Sequence, residues 1–147
     1  MRRWLITLLA LWTGTVGADE LIMARVTQSF PEAMNNLQQT IREKGYVVSR
    51  VQRVDVGLTT SGFQTAEYRL VFFGKPEEIK QLAARHPELI PYLPLEIVIF
   101  AEGDDSIILA ASPAKLVEFY PDPELGRQFS RWDRDLRAIF DAMAAAP

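Results

Sequence analysis

Cysteine is absent from all 147 residues. That excludes a disulfide scaffold, a thiolate metal site, a cysteine nucleophile and an acylated lipoprotein anchor. Histidine occurs once, at His86. A single imidazole without Cys, and without Asp, Glu or His at ligand spacing, makes a poor metal site, so neither metal nor cofactor is expected. Charge of one sign is in short supply: the net charge is -3. So weak a field does not steer a protein toward nucleic acid or acidic membranes, and no nucleic-acid partner is expected. No G-x-S-x-G elbow surrounds any serine, which argues against a serine hydrolase. Repeats, linkers and low-complexity segments are missing as well.

Long hydrophobic runs are also scarce. The run from Trp4 to Val16 is shorter than the about 20 apolar residues a transmembrane helix needs. It follows Arg2 and Arg3 and ends at Val16-Gly17-Ala18. A basic start, an apolar middle and small residues at the end are the parts of a secretory signal peptide. The sequence therefore predicts a leader over 1–18, cleavage after Ala18, and a mature chain of one domain over 19–147 in the periplasm or outside the cell, with no permanent membrane span.

The mature chain opens with a β-favouring run, Leu21 to Thr27. Ser29 and Glu32 then form a capping-box pattern. Phe30, Met34, Leu37 and Ile41 share one helical face, and Gly45 marks the helix end. Tyr46 to Val56 predicts a second strand, Gly57 to Gly62 a mobile turn, and Thr65 to Phe73 a third strand. On that third strand Ala66, Tyr68, Leu70 and Phe72 are expected to face the core. Pro76 opens a helix in which Ile79, Leu82 and Ala83 share a face, and Pro87 closes it. Pro94 releases Leu95 to Phe100 into a strand expected to be buried on both faces. Gly103-Asp104-Asp105 makes a tight hairpin into a fifth strand, Ser106 to Ser112. Ser112-Pro113 starts a short helix to about Tyr120. From about Asp122 a final helix carries the stripe Leu125, Phe129, Trp132, Leu136, Ile139 and Met143.

The order β-α-β-β-α-β-β-α-α predicts an α+β fold: a mostly antiparallel sheet of about five strands with helices on one face. The opposite face is expected to carry Met23, Arg25, Glu67, Arg69, Val71, Phe73, Glu96, Val98 and Phe100. Arg25, Glu67, Arg69, Glu96 and Phe100 are the candidate ligand or partner surface. Cross-strand ion pairs account for the same charges without any ligand. So much apolar surface is rarely left bare, and a homodimer with Phe100 buried and Glu96 or Arg69 near the rim is the expected cover. The remaining polar features have structural explanations. His86 caps a helix end, Asp104 and Asp105 are turn residues, and Arg127, Arg131 and Arg134 belong to a salt-bridged solvent face. No catalytic residue is expected.

Three motifs carry a family resemblance. Phe73-Gly74-Lys75-Pro76, then Leu93-Pro94-Leu95-Glu96-Ile97, then Ser112-Pro113-Ala114-Lys115-Leu116 resemble the DUF302 domain in order and spacing. The resemblance implies a compact α+β fold with a tendency to dimerise and no settled activity. Some members carry cysteines that suggest redox or metal chemistry. Here Phe73 or Gly74 and Leu95 stand at those positions. Lys75 replaces a typical Asn, and Glu96 a typical Lys. Leader, resemblance and missing cysteines together lead to the expectation of a secreted, non-enzymatic module that binds a small ligand or partner and self-associates. The alternatives are an accessory to envelope redox chemistry and a purely structural homodimer.

Overall fold

A computed structural model of the chain describes residues 20–146. The expected leader and its cleavage point lie outside the described residues. Five strands, β1 (Leu21–Val26), β2 (Val47–Arg53), β3 (Tyr68–Gly74), β4 (Leu95–Glu102) and β5 (Asp105–Ala111), form one sheet in the order β1-β5-β4-β3-β2. Every neighbouring pair is antiparallel. Four helices accompany it: α1 (Phe30–Glu43), α2 (Val54–Thr60), α3 (Pro76–Arg85) and α4 (Pro123–Ala144), with 3-10 turns at Pro87–Tyr92 and Pro113–Glu118. The α+β architecture follows the sequence. Among the described residues no helix is long and apolar enough to cross a membrane.

Helix α1 forms where its caps dictate. The Glu32 carboxylate accepts from the Ser29 N–H at 3.2 Å and from its hydroxyl at 2.6 Å. At the other end Gly45 adopts φ +81°. This left-handed residue lets Gly45 N–H reach the Arg42 carbonyl and Tyr46 N–H reach that of Ile41. Phe30, Leu37 and Ile41 of the expected face are buried. In α4 all six stripe residues are buried, together with Phe140. Asp122 caps that helix by accepting from the Glu124 and Leu125 N–H groups at 2.7 and 3.1 Å.

Helices α1 and α4 cover one side of the sheet. Ile22, Val26, Val71, Phe73, Ile97, Ile99, Ile108 and Ala110 meet their apolar faces in the main core. A smaller core joins Leu82, Leu89, Leu125, Phe129 and Trp132 between α3, the first 3-10 turn and the start of α4. At the end of β3 Gly74 lets Ile79 pack closely, because a Cβ there would lie 2.3 Å from the end of the Ile79 side chain and push it aside. Gly103, at φ +64°, is the first loop residue of the two-residue β4–β5 hairpin closed by Glu102 and Asp105. That is where a type II′ turn needs glycine.

The structure corrects four expectations. Gly57 to Thr60 belongs to α2 rather than to a mobile loop. The Thr59 and Thr60 hydroxyls donate to the Asp55 and Val56 carbonyls at 2.7 Å each. On β3 the parity is reversed. Val71 and Phe73 face the helices, while Tyr68, Leu70 and Phe72 face away, because β3 pairs Val71 with Ile97 and Phe72 with Glu96. Strand β4 is buried on one face only: Ile97 and Ile99 are sealed and Val98 and Phe100 are half-exposed. The segment after Ser112 is a 3-10 turn, and the Ser112 hydroxyl donates to Asp133 of α4 at 2.6 Å instead of capping it.

A bare sheet face and the cavity at its end

The side of the sheet away from α1 and α4 is continuous across all five strands. Register aligns Gln52, Leu70, Val98, Leu109 and Met23 in one row. A second row holds Tyr68, Phe100, Ile107 and Arg25, and a third Arg50, Phe72 and Glu96. The centre is apolar and charges stand towards the margins. Met23 is 69% exposed. At the hairpin end Arg25 pairs with Glu102 and, at 2.9 Å, with Asp105.

The expected ligand or partner surface is therefore divided. Arg25, Glu96 and Phe100 lie on this face. Arg69 and Glu67 do not belong to it, because the register that turns Val71 and Phe73 inward turns their parity toward the helices. Arg69 pairs with Asp55 of α2, the two side chains being only 11% and 14% exposed. Its guanidinium stands 5.2 Å from the centre of the Phe30 ring. Arg69 thus fastens α2 and α1 over the sheet. Glu67 is exposed, and its carbonyl accepts from the Ala101 N–H at 2.9 Å.

Where β1 and β4 begin and β5 ends, the bare face runs into a half-open cavity of about 620 Å³. Leu21, Phe72, Leu95 and Ala111 line its sheet side, and Leu136 of α4 also lines it. Its outer walls are the two 3-10 turns and the residues beside them, with Tyr92, Leu93, Pro94, Leu116 and Phe119. The Leu93–Pro94 bond is cis. Tyr92 meets Tyr120 edge-to-face at 6.0 Å, and the Tyr120 hydroxyl donates to the Glu88 carbonyl at 3.2 Å. Glu20, Glu96 and Glu118 border the cavity with one cation, Lys115, held 3.1 Å from Glu118. Sequence reasoning missed this cavity. It is assembled from segments as far apart as Glu20 and Leu136.

A separate polar joint lies between α3 and α4. Glu78 accepts from the Trp132 indole N–H at 2.9 Å and pairs with Arg131. Arg131 lies 3.6 Å from Asp135, which accepts from the Tyr46 hydroxyl at 2.5 Å. The Lys75 ammonium sits 4.9 Å from the centre of the Tyr46 ring. Arg131 thus leaves the solvent face expected for it, whereas Asp133 and Arg137 make their i,i+4 pair at 2.8 Å. Burial pushes the Tyr46 phenol well above its ordinary range, and the bond to Asp135 adds to that. A phenol so held keeps its proton at neutral pH, and every member of the joint is engaged with another. The joint fastens helices. His86, at the end of α3, has its Nδ1 3.2 Å from Glu88.

Such a sheet, bare on one side and helix-covered on the other, defines an α+β module whose free surfaces are a face and a cavity. The profile of the family described as domain of unknown function DUF302 matches residues 22–143, and the chain belongs to that family. The fold is also similar to the crystal structure of an uncharacterized conserved DUF302 protein from Bacillus stearothermophilus. That match has a TM-score of 0.77 at 20% identity and covers 86% of this chain and 99% of the other. No curated protein matches the chain.

Proposed function

We propose that this DUF302 chain is a non-enzymatic binding module of the cell envelope that pairs with a second copy through its bare sheet face. One observation carries the proposal: three adjoining rows of that face present Leu70, Val98, Leu109, Phe100 and Phe72, which stay outside the core closed by α1 and α4 and keep partial exposure. Five strands of six to eight residues span about 24 by 20 Å, roughly 480 Å² in projection. The corrugated accessible area is larger, and each partner of a standard complex buries about 800 Å². The size suits a second copy. Two-fold pairing also needs a self-complementary surface. Arg50 supplies positive charge at the margin and Glu96 negative charge, while Arg25 is neutralised by Glu102 and Asp105. The leader-like residues 1–18 support the envelope address, and the first residue of protein purified from cells making the full chain, read by sequencing, tests it.

Light scattering over a concentration series tests the pairing. The wild type is expected to be a dimer. Val98→Asp and the more exposed Met23→Asp should both give monomers with unchanged circular dichroism. A wild type that stays monomeric at high concentration overturns the proposal, as does a Met23→Asp dimer as tight as the wild type.

A further inference from the structure

The cavity at the end of the sheet has its own chemistry. Its volume, about 620 Å³, falls in the range of roughly 300–1,000 Å³ typical of small-molecule sites. The lining is largely aliphatic and aromatic. Three of its large hydrophobic residues are left open to water: Leu21 is 55% exposed, Tyr92 42% and Phe119 72%. Aromatic and aliphatic groups set at the mouth of a concave site give an apolar ligand surface to cover. The charge around the mouth is one-sided. Glu20, Glu96 and Glu118 face a single ammonium, and Lys115 is already engaged by Glu118. Glu20 and Glu96 make no ion pair among the described residues. An anionic ligand would meet two carboxylates there, while a cation would complement them.

We propose that this cavity binds a small amphiphile with a cationic head, its apolar part among Leu21, Leu93, Leu116 and Phe119 and its charge beside Glu20 and Glu96. The cavity is formed within one chain, so the site exists whether or not two copies pair.

Isothermal titration in low salt with decylamine, decanol and decanoate, each kept below its aggregation concentration, tests the site. Three proteins are needed: the wild type purified from cells making the full chain, the double variant Glu20→Gln with Glu96→Gln, and Phe119→Ala. Decylamine should bind the wild type at one per chain and more tightly than decanoate. Two exposed carboxylates each contribute modestly to holding a cation, so the double variant should bind decylamine about tenfold more weakly. Its binding of decanol should be unchanged. Phe119→Ala should weaken both amine and alcohol. All substituted residues are exposed, and a thermal melt confirms that each variant folds. Absence of decylamine binding to the wild type overturns the proposal. So does decanoate binding as tightly as decylamine, or a double variant that binds the amine as the wild type does. Repeating the titration with Met23→Asp separates the two proposals: binding retained in a monomer supports the cavity independently of the pairing, and binding lost there overturns the one-chain site.

Discussion

On β4, Ile97 and Ile99 are sealed beneath the helices, while Val98 and Phe100 stand half-exposed on the opposite side. The two faces of this sheet are alike in side-chain type and differ in what lies over them. The helix side is closed by apolar stripes and by polar fasteners: Arg69 with Asp55, Ser112 with Asp133, and Glu78 with Trp132. The bare side has only its charged margin. Buried polar groups need partners, so their placement marks the side the chain closes by itself. The side without them is the one proposed to meet a second copy.

Three perturbations sharpen that contrast. The largest effect should come from comparing Phe73→Ala with Phe72→Ala. Phe73 is fully buried and meets Tyr46 edge-on at 5.4 Å, so its truncation should cost about 4 kcal/mol. Its neighbour Phe72 looks the other way and should cost less than about 2 kcal/mol in the monomeric Met23→Asp background. Urea unfolding measures both, and equal losses would break the distinction between the faces. Next is Arg69→Ala. Breaking a fully buried pair costs about 3–5 kcal/mol, and here, with some water access to both partners, about 2 kcal/mol is expected. The association state should not change. A monomer with unaltered stability would return Arg69 to the pairing surface.

The smallest effect concerns acid. Burial raises the Asp133 carboxyl, but hydrogen bonds from the Ser112 hydroxyl and Arg137, with the Arg137 charge, outweigh it and hold the group below the usual range. A depressed folded pKa means that the carboxylate stabilises the fold at neutral pH. The contribution is lost as pH falls below the ordinary aspartate value of about 3.9 and through the folded one. Asp133→Asn should therefore be less stable than the wild type at pH 7, with the gap narrowing below pH 4. A gap that widens in acid would contradict the assigned network.

Much of this fold was legible where local chemistry and periodicity agree. Ser29 with Glu32, Gly45, Asp122 and the α4 stripe each have one interpretation, and each lies where expected. The β3 parity failed because Leu70, Val71, Phe72 and Phe73 are apolar in both phases, so alternation carries no sign. The register with β4 decides it. Helix α2 failed because Gly57 and the hydroxyl residues after it resemble a turn, whereas the hydroxyls bond back to carbonyls four residues earlier. Of the candidate surface, Arg25, Glu96 and Phe100 share one sheet face and Arg69 and Glu67 do not, for the same parity reason. The cavity could not be read from any one stretch, since Glu20, Glu96 and Phe119 meet only after the sheet has closed.

The register Leu21 with Ala111 through Val26 with Ser106 joins the first described strand to the last. In a chain made from its amino end, β1 waits for its only strand partner among the described residues until residue 111 is available. Until then Ile22 and Val26 lack the β5 neighbours of their finished core. Closure of so long a loop precedes any reward from the pairing, which is the property that slows folding in proteins rich in distant contacts.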